Sequence, residues 1–415
     1  MSFQQGLSGL SAAAKNLDVI SNNVANANTA GFKQAYAVFS DMSAAAAMGA
    51  SGSQVGIGTQ ISRVGQQFSQ GAITVTNSPL DVAISGQGFL RMSDNGAISY
   101  TRNGGFSLDK NGFVVGPSGQ KLTGYGAVNG AIVPNVLVNL QLSTADQAPR
   151  ATSTTNIGAN LAASDPIVAG PPVITKPNTY NFSTASTAYD SLGVAHTMTF
   201  YFNKTAPNAW TSTVYVDGKA PKTGAKTDLT FDSAGAYKSA TPDTTTTPLT
   251  VLGTDLGTTG TVATSSPNDL SVTLDYSAMT QFSSAYGVNS LSQNGSASGT
   301  LNSYSIDAQG IIFGKYTNGQ NLTLGQIALS NFTNTQGLMA TGDGMWVETA
   351  LSGPPLVGVP GTASLGLLQS SAREDSNVDL TAELVNMITA QRIYQANAQS
   401  IKTQDQLMQT MVNLK

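Results

Sequence analysis

Residues 377–415 read NVDLTAELVNMITAQRIYQANAQSIKTQDQLMQTMVNLK, and the rest of the chain is organised around this stretch. Apolar residues recur in it at alternating steps of three and four, the period of an amphipathic helix with a narrow seam. The seam positions are Leu384, Met387, Gln391, Tyr394, Ala398, Ile401, Asp405, Met408 and Val412. Because neither Gly nor Pro follows Val378, the spacing predicts one helix to the chain end, capped by Ser376 or Asn377.

The remaining faces of this predicted helix are almost uncharged. They carry Asn, Gln, Ser and Thr where a solvated helix usually carries Glu and Lys. Such faces suit a helix surrounded by copies of itself, because like charges would otherwise meet and repel each other. A helix that docks on its own domain is the alternative that the seam alone leaves open.

A second apolar seam lies at the other end of the chain. It consists of Phe3, Leu7, Leu10, Ala14, Leu17, Ser21 and Val24. Two long seams at the two termini predict helices that pair as an α-helical coiled coil. An isolated helix is marginal in water, so we expect both ends to be weakly ordered in a monomer and ordered by neighbouring copies. The residues that we expect to mediate self-assembly are Phe3, Leu7, Leu10, Leu17, Val24, Leu384, Met387, Tyr394, Ile401, Met408 and Val412.

The composition excludes several classes of function. Only 10% of the 415 residues are charged, against about 25% in a typical globular protein. The net charge of −4 argues against nucleic acid or an anionic membrane as a partner. No segment is apolar for long enough to span a membrane, and the N-terminus lacks the features of a cleaved signal peptide. There is no cysteine, which excludes disulfides and thiolate sites.

An Asn-rich segment ends the N-terminal helix and carries a family resemblance. Residues 17–33 read LDVISNNVANANTAGFK, in which Asn26, Asn28 and Gly31 favour turns. The segment resembles the N-terminal signature of the bacterial flagellar rod and hook proteins, and residues 383–397 resemble the C-terminal segment of the same family. The motif residues that carry the N-terminal resemblance are Asn22, Asn23, Ala25, Asn26, Thr29, Gly31 and Phe32.

The resemblance implies a structural subunit and not an enzyme. It implies a flexible tubular polymer, the hook, which joins rod to filament as a universal joint, transmits torque and encloses an export channel. The implied partners are other copies of the chain, the hook cap, the distal rod, the hook–filament junction proteins and the flagellar type III export apparatus. The chain would lie outside the cell, exported with its N-terminus uncleaved. The alternatives are a distal rod subunit or a secreted β-rich adhesin.

The region after the N-terminal helix reads as a linker. Residues 41–60 are rich in Gly, Ser and Ala, which is typical of a flexible connection. In the family that the chain resembles, this stretch links the terminal helices to the outer domains and contacts neighbouring subunits. Export substrates of this kind tend to carry a hydrophobic residue four positions after a Phe, but Phe39 is followed by Ser43, so no export signal is assigned.

Residues 72–142 predict strands joined by tight turns. The dipeptides Asn95-Gly96, Asn103-Gly104 and Asn111-Gly112 favour hairpins. The segment LDKNG at residues 108–112 recurs as IDAQG at 306–310, and Gly116 as Gly314, with an offset of 198 residues that becomes 200 at Gly119 and Gly319. Such a repeat around a long middle indicates one discontinuous domain with another inserted in it, unless the two hairpins are coincidental.

The middle of the chain predicts an inserted antiparallel β sandwich or barrel. Alternating polar and apolar residues mark strands at 196–203, 211–217 and 272–276. The predicted fold is thus mainly β with terminal α-helices. The domains are a terminal helical domain at 1–27 and 376–415, linker regions at 28–71 and 366–375, a discontinuous β-domain at 72–145 and 286–365, and an inserted outer β-domain at 146–285.

No pattern of residues predicts catalysis, a cofactor or a metal site. His196 is the only histidine and lies in strand-like sequence, and no Gly-x-Ser-x-Gly elbow occurs. Glu374 and Asp375 with Asp379 form the densest acidic group, which a helix start explains better than calcium. Trp210 and Trp346 are expected in the core.

Overall fold

The structure is a computed structural model that describes residues 2–42, 56–168, 170–242, 244, 247–256 and 267–413. The first part of the chain contains one long helix followed by strands. These elements are α1 (Ser2–Ala25), β1 (Ala35–Met42), β2 (Gly58–Gln66), β3 (Ile73–Val75), β4 (Val82–Ser85), β5 (Phe89–Asp94), β6 (Ala97–Thr101), β7 (Ser107–Leu108), β8 (Val114–Val115), β9 (Lys121–Val128) and β10 (Ala131–Asn139).

The middle and last parts of the chain continue mainly as strands. The middle elements are β11 (Thr154–Asn160), β12 (Phe182–Tyr189), β13 (Ala195–Ala206), β14 (Ala209–Val216), β15 (Lys226–Phe231), β16 (Tyr237–Thr241), β17 (Leu249–Val251), α2 (Gly253–Leu256), β18 (Leu270–Asp275) and β19 (Gly287–Gln293). The last elements are β20 (Leu301–Ile306), β21 (Ile311–Tyr316), β22 (Asn321–Ile327), β23 (Leu329–Asn331), β24 (Met339–Gly342), β25 (Met345–Val347), β26 (Leu356–Gly358), β27 (Leu367–Ser370), β28 (Ala372–Glu374) and α3 (Leu380–Asn413).

The chain divides into two compact units. Unit 1 comprises Met1–Thr144, Ser303–Lys315 and Asn321–Lys415, and unit 2 comprises Ala145–Asn302 and Tyr316–Gln320. The long helices α1 and α3 both belong to unit 1 and pack together. A mainly β chain with terminal helices, as the sequence predicts, is therefore confirmed.

The main sheet of unit 1 is built by strands from both ends of the chain. Its order is β20-β21-β22-β9-β5-β6-β25-β24, in which β5 pairs antiparallel with both β6 and β9. Its largest hydrophobic cluster includes Val82, Leu90, Met92, Leu122 and Ile327, all of which are buried. Unit 1 is thus closed by contacts between residues that are more than 200 positions apart in the sequence.

Trp346 belongs to a second cluster of unit 1, which is aromatic. Its ring meets those of Phe68 and Phe89 edge-on, with centroids 5.5 and 5.7 Å apart. Trp346 lies in β25 and Trp210 in β14, and both are buried. The predicted core positions of the two tryptophans are therefore confirmed.

The three predicted Asn-Gly hairpins have different outcomes. Asn95-Gly96 joins β5 to β6 with positive φ at both residues, as a primed turn requires. Asn111-Gly112 lies in the turn between β7 and β8. Asn103-Gly104 forms no hairpin, and the prediction is wrong there. A Cβ at Gly104 would lie 1.6 Å from the carbonyl oxygen of Val82, so this glycine allows close approach of two backbone segments.

The two copies of the internal repeat share the same hydrogen bonds. In Asp109–Phe113 and in Asp307–Ile311, the first N–H donates to the carbonyl oxygen of the last residue at 3.0 and 3.1 Å. The Asp Oδ1 accepts a bond of 2.8 Å from the last N–H in both copies. The glycine before it has φ of 80° in the first copy and 77° in the second. The repeated letters therefore encode one turn, closed by the Asp side chain and by a glycine in the left-handed region.

One detail of the predicted alignment between the two copies is wrong. Gly119 N–H donates to the carbonyl oxygen of Gly116, and Gly319 N–H donates to that of Tyr316, each at 3.0 Å. Gly116 therefore corresponds to Tyr316 and not to Gly314. The two additional residues lie within Ile311–Tyr316, which forms β21.

Unit 2 has two sheets around one hydrophobic core. One sheet has the order β12-β13-β14-β15-β16 and the other β17-β18-β11-β19. Phe200 and Trp210 from the first sheet and Ile157 and Val272 from the second belong to the same buried cluster. β11 pairs parallel with β18, which corrects the prediction of a wholly antiparallel arrangement. The segment 287–293, which was predicted to belong to the discontinuous β-domain, is β19 and pairs with β11.

The segments expected to be linkers contain paired strands. β1 pairs with β2, β3 with β28, and β4 with β27, all antiparallel. Most of the Gly-rich run of 41–60, residues 43–55, lies outside the described residues, as do parts of the loop at 242–248. His196 lies in β13, buried, with Nδ1 2.7 Å from Oδ2 of Asp217 and Nε2 3.5 Å from Oδ2 of Asp190.

A buried tyrosine is expected to make the stability of unit 2 depend on pH in the alkaline range. Tyr276 is 1% exposed, its hydroxyl lies 3.0 Å from Ser212 Oγ, and burial raises the pKa of its phenol above the ordinary 10.0. The unfolded chain loses this proton as the pH rises through about 10, whereas the folded chain retains it. The contribution to stability is therefore full below pH 10 and decreases above it.

We expect the free energy of unfolding in urea to fall by up to about 1.4 kcal/mol per pH unit above pH 10 from this group. Tyr276→Phe is expected to unfold more easily at pH 7, by about 1 kcal/mol for the lost hydrogen bond, but to show a shallower alkaline decrease. Tyr125→Phe, in unit 1, is the control. Equal alkaline slopes in wild type and Tyr276→Phe would contradict this assignment.

Candidate functional site

The candidate site is the pair of terminal helices with the segment that joins them to the sheet. A Cβ at Gly6 of α1 would lie 3.0 Å from Cγ1 of Ile401 in α3. At the other end of α1, Asn23 Nδ2 donates to Glu383 Oε2 at 3.2 Å. Early residues of α1 thus meet late residues of α3, so the helices run antiparallel, and the glycine allows close approach of their backbones.

The side of α1 that faces α3 is lined by buried residues beside the predicted seam, and two of the three are small. Gly6, Ala13 and Ile20 are buried and recur every seven residues. The seam residues Phe3 and Leu7 are 51% and 52% exposed. The other α1 residues expected to mediate self-assembly are half-buried, namely Leu10, Leu17 and Val24. Much of the apolar seam of α1 is therefore accessible to solvent in the single chain.

The seam of α3 is also only partly covered by the rest of the chain. Glu383 and Ala390 are buried, and the predicted seam residues Met387 and Ile401 are half-buried. The remaining seam residues expected in self-assembly are exposed, namely Leu384, Tyr394, Met408 and Val412. Further large apolar side chains of α3 are exposed as well, namely Leu380, Val385, Ile388, Ile393, Leu407 and Met411. Contiguous exposed apolar surface of this kind marks an interaction site.

The start of α3 differs from the sequence expectation. Asp379 Oδ1 accepts hydrogen bonds of 2.9 and 3.1 Å from two N–H groups of the first turn, so Asp379 is the cap and the helix begins at Leu380. The predicted cap at Ser376 or Asn377 is wrong. Asn377 Oδ1 instead accepts a bond of 2.7 Å from the N–H of Gln34, which ties the segment before α3 to the segment after α1.

A buried ion cluster, made by Lys33, Arg102 and Glu374, joins these segments to the sheet. Lys33 Nζ lies 2.6 Å from Oε1 of Glu374, and Arg102 Nη1 lies 3.1 Å from Oε2. The side chains of Lys33 and Glu374 are 0% exposed and that of Arg102 is 4% exposed. The carboxylate also accepts a bond of 2.9 Å from the N–H of Gly71, and Lys33 Nζ donates to Ser69 O at 2.7 Å. One carboxylate thus holds together three distant parts of the chain.

Burial sets the electrostatics of this ion cluster. Desolvation lowers the pKa of Lys33, and the attraction of Glu374 opposes that shift. The pKa of Arg102 is also lowered by burial, against the same opposing attraction of Glu374. Because water is excluded, each cation depends on the carboxylate for its stability in the charged form.

The motif residue Asn23 links the end of α1 to β1 and to α3. Its Nδ2 donates to Ala35 O at 2.8 Å, and its Oδ1 accepts from Ala35 N–H at 2.9 Å. Glu383, which receives Asn23 Nδ2 on Oε2, also accepts a bond of 2.7 Å from Gln34 Nε2 on Oε1. Asn23 is 1% exposed, so these bonds hold the corner between helix and strand away from water.

Gly31 explains why the motif contains a glycine at this corner. Its φ is 72°, and a Cβ would lie 2.5 Å from the backbone N of Asn103 and 2.7 Å from the backbone C of Arg102. Its N–H donates to Glu374 O at 2.7 Å. Any side chain at residue 31 would therefore separate the corner from the ion cluster.

The other motif residues form the turn that ends α1. Ala25 is the last helical residue, Asn26 Nδ2 donates to Asn22 O at 3.0 Å, and Thr29 Oγ1 donates to Asn26 Oδ1 at 3.2 Å. Phe32 is half-buried and lines, with Asn22, Asn26 and Thr29, a cavity of about 410 Å³. These side chains shape the corner but do not enter the ion cluster.

Sequence reasoning missed the central residues of this site. It did not single out Lys33, Arg102 or Gln34, and it interpreted Glu374 as part of a helix start, which is wrong because Glu374 is buried in the ion cluster. The signal that could have identified the ion cluster is the low number of charged residues in the chain. In a chain with only 10% charged residues, a Lys in the family motif and a Glu before the last helix could have been considered as a pair.

The described ranges contain no group of three or more His, Asp or Glu side chains arranged to hold a metal ion. None of the helices within those ranges has the length and apolar character needed to cross a membrane.

The chain matches three families of flagellar proteins. Residues 3–33 match the family described as flagella basal body rod protein, and residues 369–414 match the C-terminal family of the flagellar basal body rod FlgEFG proteins. Residues 117–296 match the flagellar basal body protein FlaE D2 domain. The first two matches contain α1 with its corner and α3 with Glu374.

Similar proteins match over their whole length. The flagellar hook protein FlgE of Salmonella typhimurium strain LT2 is 42% identical, with 100% of both chains covered. That of Escherichia coli K12 is 41% identical with the same coverage. The crystal structure of Helicobacter pylori flagellar hook protein FlgE2 matches with a TM-score of 0.51 at 16% identity, covering 73% of this chain and 99% of that one. This structural likeness supports the fold.

Proposed function

The chain belongs to the flagellar hook protein family, and from this premise we propose how its residues build a hook. It is a structural subunit of the bacterial flagellar hook and serves motility. Polymerisation with copies of itself follows from that family membership. The observation that supports our proposal best is the exposed apolar surface of α1 and α3.

We propose that the terminal helices of neighbouring copies pack together as a coiled-coil layer. This layer would line a channel for export substrates, with the discontinuous β-domain around it and the inserted β-domain outermost. The proposed boundaries are 1–27 with 376–415 for the helices and 72–144 with 303–365 for the β-domain. The insertion extends over 145–302, because β19 pairs with β11. The self-assembly residues are those of the two seams, since their apolar side chains gain the most from burial between copies.

The ion cluster has a mechanical role in this proposal. Torque that enters through the helices must reach the sheet, and a hinge at the corner after α1 would dissipate it. Lys33, Arg102 and Glu374, with the bond from Asn23 to Glu383, fix that corner through contacts between residues that are at least 272 positions apart in sequence. The polymer then bends by sliding between copies, which few charges oppose.

The proposed partners follow from the place of a hook in the flagellum. They are the distal rod at one end, the hook–filament junction proteins at the other, and the hook cap during assembly. We propose that the type III export apparatus exports the chain with its N-terminus uncleaved. The net charge of −4 gives no support for nucleic acid or membrane binding.

The proposal predicts a large effect of a charge at an exposed seam position. Leu384 is 45% exposed in the single chain, so Leu384→Asp should leave the monomer folded. Between copies it would bury an unpaired carboxylate, which costs several kcal/mol at each contact. We expect no tubes by electron microscopy, with unchanged urea unfolding of the monomer.

Leu384→Met is the matched control, because it keeps the position apolar and is expected to form tubes. Tubes of normal length from Leu384→Asp would exclude burial of this face. If the unmodified chain formed no tubes at all, hook assembly by this chain itself would be contradicted.

A further inference from the structure

Helix α3 extends beyond the helix that covers it. It has 34 residues, against 24 in α1. Ile401 lies against Gly6, and only four residues of α1 precede Gly6 in the described helix. Since the helices are antiparallel, residues 406–412 of α3 have no part of α1 beside them. We call these residues the overhang.

The overhang continues the face of α3 that packs on α1. Along this face of α3, residues spaced by seven, four and three positions are buried or half-buried, namely Ala390, Asn397, Ile401 and Gln404. The next steps of four and three reach Met408 and Met411, which are 64% and 69% exposed. Leu407 and Val412 beside them are also exposed, and no residue from 406 to 412 is charged. This surface has the chemistry of a helix interface but no partner within the described chain.

The same chain carries a concave apolar surface. A groove of about 360 Å³ is formed between α1, the β1–β2 pair and α3. None of its lining residues is charged, and they include Ala12, Phe39, Ala390 and Ile393. Phe39 and Ile393 are 37% and 50% exposed, so apolar side chains line the groove but are open to water.

We propose that the overhang of one copy docks in the groove of a second copy. A chain cannot fill its own groove, because Met411 lies about 27 Å from Ile393 along a continuous helix. A contact between two different surfaces of identical chains is heterologous, and it extends into an open polymer when the rotation does not close a ring. This inference rests on the proposed function and adds the contact that would propagate the polymer along the direction of α3.

The absence of cysteine from the sequence allows a direct test by disulfide cross-linking. Chains with Ala12→Cys, in the groove, are mixed with chains carrying Met411→Cys, assembled and oxidised. We expect mixed dimers on a non-reducing gel, and a ladder of multimers from the chain that carries both substitutions. Gln409→Cys is the matched control, since two residues from Met411 it points to the opposite side of the helix. At least tenfold less cross-linking is expected from it.

The outcomes separate this contact from the proposed function. Two results would overturn the docking and leave hook assembly intact. One is tubes in which Met411→Cys and Gln409→Cys cross-link equally to Ala12→Cys. The other is tubes in which Met411→Cys chains cross-link only to each other. If Met411→Cys fails to form tubes, Met408→Cys on the same face replaces it, with the same expectations. Absence of tubes from the unmodified chain would overturn both proposals.

Discussion

Replacing Glu374 by Gln is expected to lower the free energy of unfolding by about 3–5 kcal/mol, the cost of breaking a buried ion pair from one side. The carboxylate lies within 2.6 Å of Lys33 and 3.1 Å of Arg102, and all three side chains are almost fully buried. A glutamine of nearly the same shape leaves two cations without a counter-charge in a place that water does not reach. The large effect comes from those uncompensated cations and not from a lost volume.

The measurement is urea unfolding of monomeric chain at neutral pH, followed by circular dichroism. Asp375→Asn is the matched control, because Asp375 is the next residue and its Oδ1 accepts only a long, exposed bond of 3.2 Å from Thr74. We expect that control to change stability by no more than about 0.5 kcal/mol. Equal effects of the two substitutions would indicate that the ion cluster contributes little.

A second substitution identifies the cause. Lys33→Met combined with Glu374→Gln removes one of the two buried cations and replaces its aliphatic stem with a similar one. If uncompensated charge is the cause, the double variant should recover part of the loss that Glu374→Gln suffers alone. A double variant that is less stable by the sum of the two single losses would point to packing instead.

The parts of the fold that the sequence could predict are those with local signals. Heptad spacing predicted α1 and α3, and Asn-Gly predicted the hairpin at residue 95, because each depends on neighbouring residues alone. The repeated turn at Asp109 and Asp307 also has a local cause, namely an Asp side chain closing its own turn. The same Asp-x-x-Gly pattern occurs at Asp190 and Asp232, where Oδ1 accepts the same bond of 2.8 Å, and a search for it would have found both turns.

The parts that the sequence could not predict depend on long-range pairing. Strand β28 pairs with β3, and Lys33 pairs with Glu374, across about 300 residues. The two helical seams predicted that the chain ends pair, but a short strand carries no signal for the distant strand with which it pairs, so the region 28–71 was interpreted as a linker. The sequence also did not predict which face of α1 turns toward α3. The seam pattern indicates where large apolar side chains recur along α1. The residues that are buried, however, include Gly6 and Ala13, whose small size permits close approach of the two helices.

Deleting residues 384–415 while retaining Glu383 is expected to abolish tube assembly and to leave both β units folded. The retained segment keeps Asp379, Glu383 and the ion cluster, so the bonds of Asn23 and Gln34 remain. Beyond Glu383, α3 contributes Ala390 as its only buried apolar residue among those described, so the cores of the sheets lose nothing. Helix α1 loses its partner, and a single helix of 24 residues is marginal in water, so the helical circular dichroism should decrease strongly.

A shorter deletion, of residues 406–415, separates helix pairing from contact between copies. It removes the overhang but retains Ile401 against Gly6, so α1 should stay helical and the monomer should unfold as wild type does. We nevertheless expect no tubes by electron microscopy, because the apolar surface that reaches a second copy is gone. Tubes from the shorter deletion alone would assign assembly to the paired part of the helices. Tubes from the longer deletion would exclude the terminal helices as the basis of the polymer, since only α1 would remain to form them.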